Sequence, residues 1–210
     1  RVANVLQLEA WFAPDLAGTG DSTIVGALPL CHIFALNQAL FFMKTGGCNL
    51  LIANPRDFPG FVKELAMHGF TFFSGVNTLY NALLHTPGFD RLDFSGLRVS
   101  LGGGMAVQKA VADNWKQVTG NTLTQAWGLT ETSPGATVNR LDAQQFTGSI
   151  GLPIPSTTIT IRDDDGNPLP LGQTGEICVA GPQVMRGYWN RPDETAKVML
   201  DGGVLRTGDI

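Results

Sequence analysis

Hydrophobic positions change their period along the chain, and each change predicts an element. Between residues 22 and 130, short β-branched and aromatic runs alternate with stretches of helical spacing. Strands are predicted at 23–28, 49–53, 70–74, 98–101 and 122–126. The clearest helix carries Val107, Ala110, Val111, Asn114, Trp115 and Val118 at i, i+3, i+4, i+7, i+8 and i+11, with Gly120 placed to stop it. Phe61, Val62, Leu65 and Ala66 draw a similar stripe, on a helix that Pro59 can begin and Gly69 can end. A further apolar helix starts at Ile33. Five strands separated by helices of about a dozen residues predict right-handed βαβ crossovers and a mostly parallel sheet.

After about residue 150 the period becomes that of half-buried strands. Thr and Ile alternate over 157–161, Asp165-Gly166-Asn167 forms a turn, and 176–180 and 204–207 read as further strands. One short helix fits 192–200. The fold class is therefore α/β. A βα-layered, mostly parallel sheet subdomain is expected over 1–150, followed by a smaller, mainly antiparallel β subdomain over 151–210. The Gly/Pro segment 148–155 joins them.

Composition narrows the class. The 26 Gly and 12 Pro among 210 residues mean many turns, yet there is no three-residue Gly period and no sustained heptad, which excludes collagen and coiled coil. Charged residues are 15% and hydrophobic residues 43%, enough to bury a sizeable core. The net charge, 14 − 18 = −4, removes a chain-wide grip on nucleic-acid phosphates, so no nucleic-acid partner is expected. The charge-free run 22–43 has the length of a membrane helix, but Gly26, Pro29, His32, Asn37 and Gln38 interrupt it and favour a buried strand followed by a buried helix. Cys31, Cys48 and Cys178 are odd in number, far apart and set in apolar runs. They are expected to be reduced, buried thiols of a protein from a reducing compartment, without zinc-ligand spacing. Opening on Arg1 and stopping directly after a strand-like run, the chain reads as a slice of a longer protein.

Chemistry is sought where parallel strands end, because open α/β sheets bind ligands beyond the carboxyl ends of their strands. Gly102-Gly103-Gly104 follows one predicted strand and serves either a tight turn into the next helix or a close backbone approach to a flat ligand. The next strand ends in Gln125-Ala126-Trp127-Gly128-Leu129-Thr130-Glu131-Thr132. There Trp127 can stack on a base, Thr130 can donate to a phosphate or carboxylate oxygen, and Glu131 can hold Mg²⁺. His32 either faces a cleft or edges the core. Asp209, in Thr207-Gly208-Asp209, either accepts two ribose hydroxyls or simply closes a turn, while Met185-Arg186-Gly187-Tyr188-Trp189 is either an aromatic anchor or, the better reading, packing of the β subdomain. No GxxxxGK[ST], GxSxG or HExxH motif is present, which lowers hydride transfer, serine hydrolysis and metalloprotease chemistry.

The ordered set QAWGLTETSP, GSIGLPIP, GEICVAGPQVMRGYWNRPDET and RTGD resembles the adenylate-forming enzymes: acyl-CoA synthetases, luciferases and peptide-synthetase adenylation domains. LPLCHIFAL and GGGMAV extend the likeness to nearly the whole chain, and NLLIANPRDFPGFVKEL with GVNTLYNALL looks most like bacterial long-chain fatty-acid CoA ligases. The resemblance implies an AMP-forming, ATP-dependent ligase. A fatty-acid carboxylate attacks the ATP α-phosphate, and CoA then displaces AMP; ATP, Mg²⁺ and CoA are the implied cofactor and cosubstrates. It also implies roles. Gly103, Gly104, Gln125, Ala126 and Trp127 form the adenine wall, Thr130 contacts the α-phosphate, Glu131 holds the metal, Asp209 binds the ribose and His32 lines the carboxylate end of the acyl site.

Three positions depart from the family's usual residues. Trp127 stands where Tyr is common, which keeps a stacking plane and loses a phenolic hydrogen bond; Ala126 replaces Gly, and Cys31 replaces a Tyr beside His32. The family's phosphate-binding loop precedes this segment and its mobile C-terminal domain follows, so the segment alone is expected not to form acyl-AMP at a useful rate. An aryl- or medium-chain-acid ligase and a non-catalytic nucleotide-binding relative are the alternative readings. The parent is expected in the cytoplasm; peripheral contact with the inner membrane and a homodimer are left open.

Overall fold

The computed structural model describes residues 2–14, 16 and 21–210. Its larger sheet contains β1 (Thr23–Gly26), β2 (Cys48–Leu51), β3 (Phe72–Gly75), β4 (Val99–Gly102), β5 (Leu123–Gly128), β6 (Gly135–Val138) and β7 (Leu152–Pro153). The strand order is β2-β1-β3-β4-β5-β6-β7. The first five strands run parallel, close to the five predicted positions; β6 and β7 add antiparallel at one edge. That edge was not anticipated: β6 begins on the Gly of a Pro-Gly pair, which reads as a turn, and β7 has only two residues.

The described residues form six α-helices: α1 (Val2–Phe12), α2 (Ile33–Thr45), α3 (Phe58–Met67), α4 (Asn77–Leu84), α5 (Lys109–Thr119) and α6 (Pro192–Val198). Period-two alternation in β3 separates the two cores. Phe72 points to the α1/α2 side, where it meets Phe12 and Phe42 edge-on with ring centroids 5.5 and 5.4 Å apart. Phe73 points to the α3/α4/α5 side, 5.3 Å from Trp115 and 5.6 Å from Tyr80. Trp115 and Tyr80 are fully buried, and both polar ends are satisfied: the indole N–H donates to Ser100 Oγ at 2.9 Å and the Tyr80 hydroxyl to the Leu101 carbonyl at 2.8 Å. Large apolar area is thus removed from water without an unpaired donor.

Helix ends follow local chemistry. The side chain of Asp57 accepts from the Gly60 N–H at 3.1 Å to cap α3, with Pro59 in the first turn; the helix ends at Met67, two residues before Gly69. In α5 the buried face is Val111, Ala112 and Trp115, with Val107 packed just ahead of the helix and Ala110 exposed. Gly120 terminates it with a left-handed φ of 75°, its N–H reaching the Lys116 carbonyl at 2.9 Å.

The second sheet is antiparallel: β8 (Thr158–Arg162), β9 (Glu176–Ala180), β10 (Met199–Leu200) and β11 (Val204–Arg206), in the order β10-β11-β9-β8. The larger sheet thus runs to Pro153 and the smaller begins at Thr158. Between them lies a buried amide cluster. Gln7 of α1 donates to the Pro155 carbonyl at 2.7 Å and to Gln183 Oε1 at 3.0 Å, and Gln183 donates to Thr157 Oγ1 at 2.6 Å.

One expectation changes and another holds. Cys178 is buried in the second sheet, but Cys31 and Cys48 are exposed. Cys31 sits in the turn before α2, and Cys48 begins β2, the edge strand, where apolar neighbours in sequence do not become neighbours on both faces. The run 22–43 becomes β1 and most of α2, and no helix among the described residues is long and apolar enough to cross a membrane.

Candidate functional site

Because β1, β4 and β5 are parallel, their carboxyl ends open on one side. A cavity of about 220 Å³ lies there, among His32 and Phe34 before and in α2, Gly103 and Gly104 after β4, Trp127 near the end of β5 and Thr130 just beyond it. Ala126, Leu129, Pro134 and Gly135 also line it. Six of the residues proposed from sequence therefore converge on it: His32, Gly103, Gly104, Ala126, Trp127 and Thr130.

His32 caps α2, its Nδ1 accepting the Phe34 N–H at 3.2 Å. With Nδ1 occupied as an acceptor, a neutral ring carries its proton on Nε2 and offers a donor. Gly104 takes a left-handed φ of 75°, and a Cβ on Gly103 would come within 3.1 Å of the Phe34 ring. The glycines both turn the chain and leave bare backbone on the cavity wall.

Beyond β5, Thr130–Thr132 forms a short 3₁₀ turn. Buried Thr132 ties it together, accepting from the Leu129 N–H at 2.8 Å and donating to the Pro134 carbonyl. This turn points Glu131 away from the cavity, into a second cleft of about 390 Å³ that shares Leu129 with it. There the Glu131 carboxylate accepts the Tyr188 hydroxyl at 2.8 Å, and its carbonyl accepts the Met185 N–H at 2.8 Å. The hydrogen bond to Glu131 holds the Tyr188 phenol above its ordinary pKa. The cleft's cations are already partnered: Lys197 with Glu194 at 2.8 Å and Arg206 with Glu176 at 2.7 Å.

Asp209 stands at the edge of the site, where its Oδ2 accepts the Trp127 indole N–H at 2.9 Å. The substitution of Trp for the usual Tyr therefore brings a hydrogen bond of its own. Gln125 does not line the cavity. Buried, it accepts the Val107 N–H at 3.1 Å and donates to the Ser149 carbonyl at 3.3 Å, stitching the glycine loop to the segment before β7.

The segment 185–189 is not simple packing. Trp189 is 96% exposed, whereas Met185 and Tyr188 both reach Glu131. Tyr188, Phe34 and Leu129 were missed as site residues, because aromatic and apolar side chains near turns look like core until the sheets are placed together. Among the described residues no cluster of three or more His, Cys, Asp or Glu is arranged to hold a metal ion.

Fold and site together define an α/β protein with a cavity across the strand ends of a mostly parallel sheet and a second, antiparallel sheet beside it. The profile of the AMP-binding enzyme family matches residues 1–189, and the chain belongs to that family. It is 56% identical over 209 residues to a long-chain-fatty-acid–CoA ligase of Yersinia pestis, covering 99% of this chain and 37% of that protein. A ligase of the same name from Escherichia coli O6:H1 is 53% identical over 210 residues, covering 100% of this chain and again 37% of the relative. The chain thus spans little more than a third of the curated relatives it matches. The crystal structure of ATP-bound MatB from Rhodopseudomonas palustris superposes with a TM-score of 0.82 at 28% identity, over 98% of this chain and 40% of that one.

Proposed function

We propose that this chain is an internal segment of a long-chain fatty-acid–CoA ligase and carries most of its adenylate pocket. The carrying observation is the cavity in which His32, Gly103, Gly104, Trp127 and Thr130, far apart in sequence, meet. In this reading the carboxylate oxygen of a fatty acid bonds to the ATP α-phosphorus while the bond to pyrophosphate breaks. The CoA sulfur then bonds to the acyl carbon and AMP leaves.

The chain's own groups suit the first step. Trp127 supplies a plane for adenine, and Ala126 with the bare backbone of Gly103 and Gly104 admits the base closely. Thr130, exposed at the rim, donates to an α-phosphate oxygen, and His32 Nε2–H faces the acyl carboxylate. Asp209 accepts ribose hydroxyls, while Gln125 acts indirectly by holding the glycine loop.

Glu131 faces the neighbouring cleft with Oε1 taken by the Tyr188 hydroxyl, so it would hold Mg²⁺ of the kind bound chiefly by phosphate oxygens and water: it brings one carboxylate and, among the described residues, no cluster of further ligands joins it. Bound there, the ion neutralises charge on the phosphates. The same reading has the longer protein in the cytoplasm, taking acyl chains from the inner membrane surface.

Calorimetry on the 210-residue chain tests the pocket. ATP should bind, and Trp127→Ala should weaken binding by about tenfold, as for loss of one base–aromatic stack. Pyrophosphate release with ATP, Mg²⁺ and oleate should be robust for the longer protein, be lost in its Glu131→Gln variant and be absent for this chain alone. A chain that binds neither ATP nor AMP would overturn the reading.

A further inference from the structure

We propose that Trp127 is a positioning residue for Asp209: its indole N–H holds one carboxylate oxygen so that the other is presented to the vicinal hydroxyls of a ribonucleotide. The inference rests on the nucleotide reading above and assigns to one side chain the choice between ribose and deoxyribose.

The contact is short and one-directional. Trp127 Nε1 lies 2.9 Å from Asp209 Oδ2, and an indole N–H can only donate. Asp209 Oδ1 has no hydrogen-bond partner among the described residues. The backbone of Asp209 is pinned from both sides, its N–H donating to Thr207 Oγ1 at 3.1 Å and its carbonyl accepting the Ile177 N–H at 2.8 Å. Only the side-chain torsions remain to be fixed, and the indole fixes them. Trp127 is itself held in β5, opposite Thr137 of β6.

The arrangement matches a nucleoside. One side chain borders the cavity and, at its N–H edge, grips the carboxylate; a base against the ring would carry its sugar toward that edge. Phe at this position keeps a plane for stacking but loses the N–H. Its Asp209 carboxylate would be free to rotate, and the cost of ordering it would fall on the ligand.

The test compares ATP with 2′-deoxy-ATP by calorimetry, in this chain and in Trp127→Phe, Asp209→Asn and the double variant. The unmodified chain should prefer ATP by roughly tenfold, as for a hydrogen bond to a charged group. Trp127→Phe should keep ATP binding detectable while the preference falls by about fivefold or more; in Asp209→Asn the same change should have no further effect. A preference retained in Trp127→Phe, or one lost additively in the double variant, would overturn the proposal.

A second readout needs no nucleotide. The indole N–H resonance of Trp127, assigned by its loss in Trp127→Phe, should shift in Asp209→Asn. No shift means that the contact does not form in solution, and the proposal fails while the nucleotide reading stands. A shift without any ATP binding overturns the nucleotide reading and with it the purpose assigned to the pair.

Discussion

The carboxamide of Asn4 pairs with the peptide of Gly135 in both directions, Oδ1 accepting its N–H at 3.1 Å and Nδ2 donating to its carbonyl at 2.8 Å. The partners are 131 residues apart, and Asn4 is completely buried. Gly135 lines the cavity, so the first helix holds the wall of a site built from strand ends far along the chain. Asn37 of α2 donates to the same Asn4 oxygen at 3.0 Å, which steadies the carboxamide.

Asn4→Ala leaves two backbone groups of Gly135 without this partner. It should cost about 2–3 kcal/mol of stability, the penalty for stranding buried polar groups. Urea melts of this chain check it, and an unchanged midpoint would contradict the pairing.

Gly128→Ala should be more severe. A Cβ at residue 128 would overlap the Pro134 carbonyl and press on the Ala136 nitrogen, both backbone atoms that no side-chain rotation can clear. The β5 end would have to move, taking Trp127 and Thr130 with it. The expected result is loss of ATP binding in calorimetry together with a lower melting temperature; binding equal to the unmodified chain would refute this account.

The thiols should react in two classes. Cys31 and Cys48 are exposed, while Cys178 is buried, and burial pushes its thiol above the ordinary pKa. A chromogenic disulfide reagent should label two thiols rapidly in the folded chain and the third only after denaturant is added. Rapid labelling of all three would show that the second sheet opens.

Tyr80 sets an alkaline limit. Burial holds its phenol well above 10, outweighing the opposing backbone hydrogen bonds at Gly75 and Leu101. Above the unfolded pKa of about 10 the unfolded chain releases this proton while the folded chain retains it, so stability falls as pH rises. The contribution is fully present below that pH. Urea midpoints should be flat in this respect up to about pH 9 and decline beyond it. In Tyr80→Phe part of that decline should vanish, at a cost of about 1 kcal/mol at neutral pH for the lost hydrogen bond to Leu101. An equal slope in both proteins would remove Tyr80 as the cause.

Much of the chain was legible from local pattern. Strand and helix periods depend on which neighbours lie two or four residues away, so β1 to β5 and the Trp115 face of α5 could be read directly. The strand-end rule placed Gly103, Gly104, Trp127 and Thr130 at one site, because parallel strands share a carboxyl end. Other features have no local signature. The exposure of Cys48 depended on which strand became an edge, and that of Cys31 on how the turn before α2 sits on the fold. Gln125 turned inward to Val107, and Glu131 turned toward Tyr188, because of partners 18 and 57 residues away.

The sequence by itself determined β1 to β5, the helices at Ile33, Phe61 and Trp115, the α/β class and the family, since those depend on spacing and ordered motifs. Only the tertiary structure decided which side chains share a wall: Asn4 against Gly135, Tyr188 against Glu131, and Trp127 against Asp209. These are hydrogen bonds across 131, 57 and 82 residues; the first needs α1 packed on the large sheet, and the other two need the second subdomain brought against the end of β5.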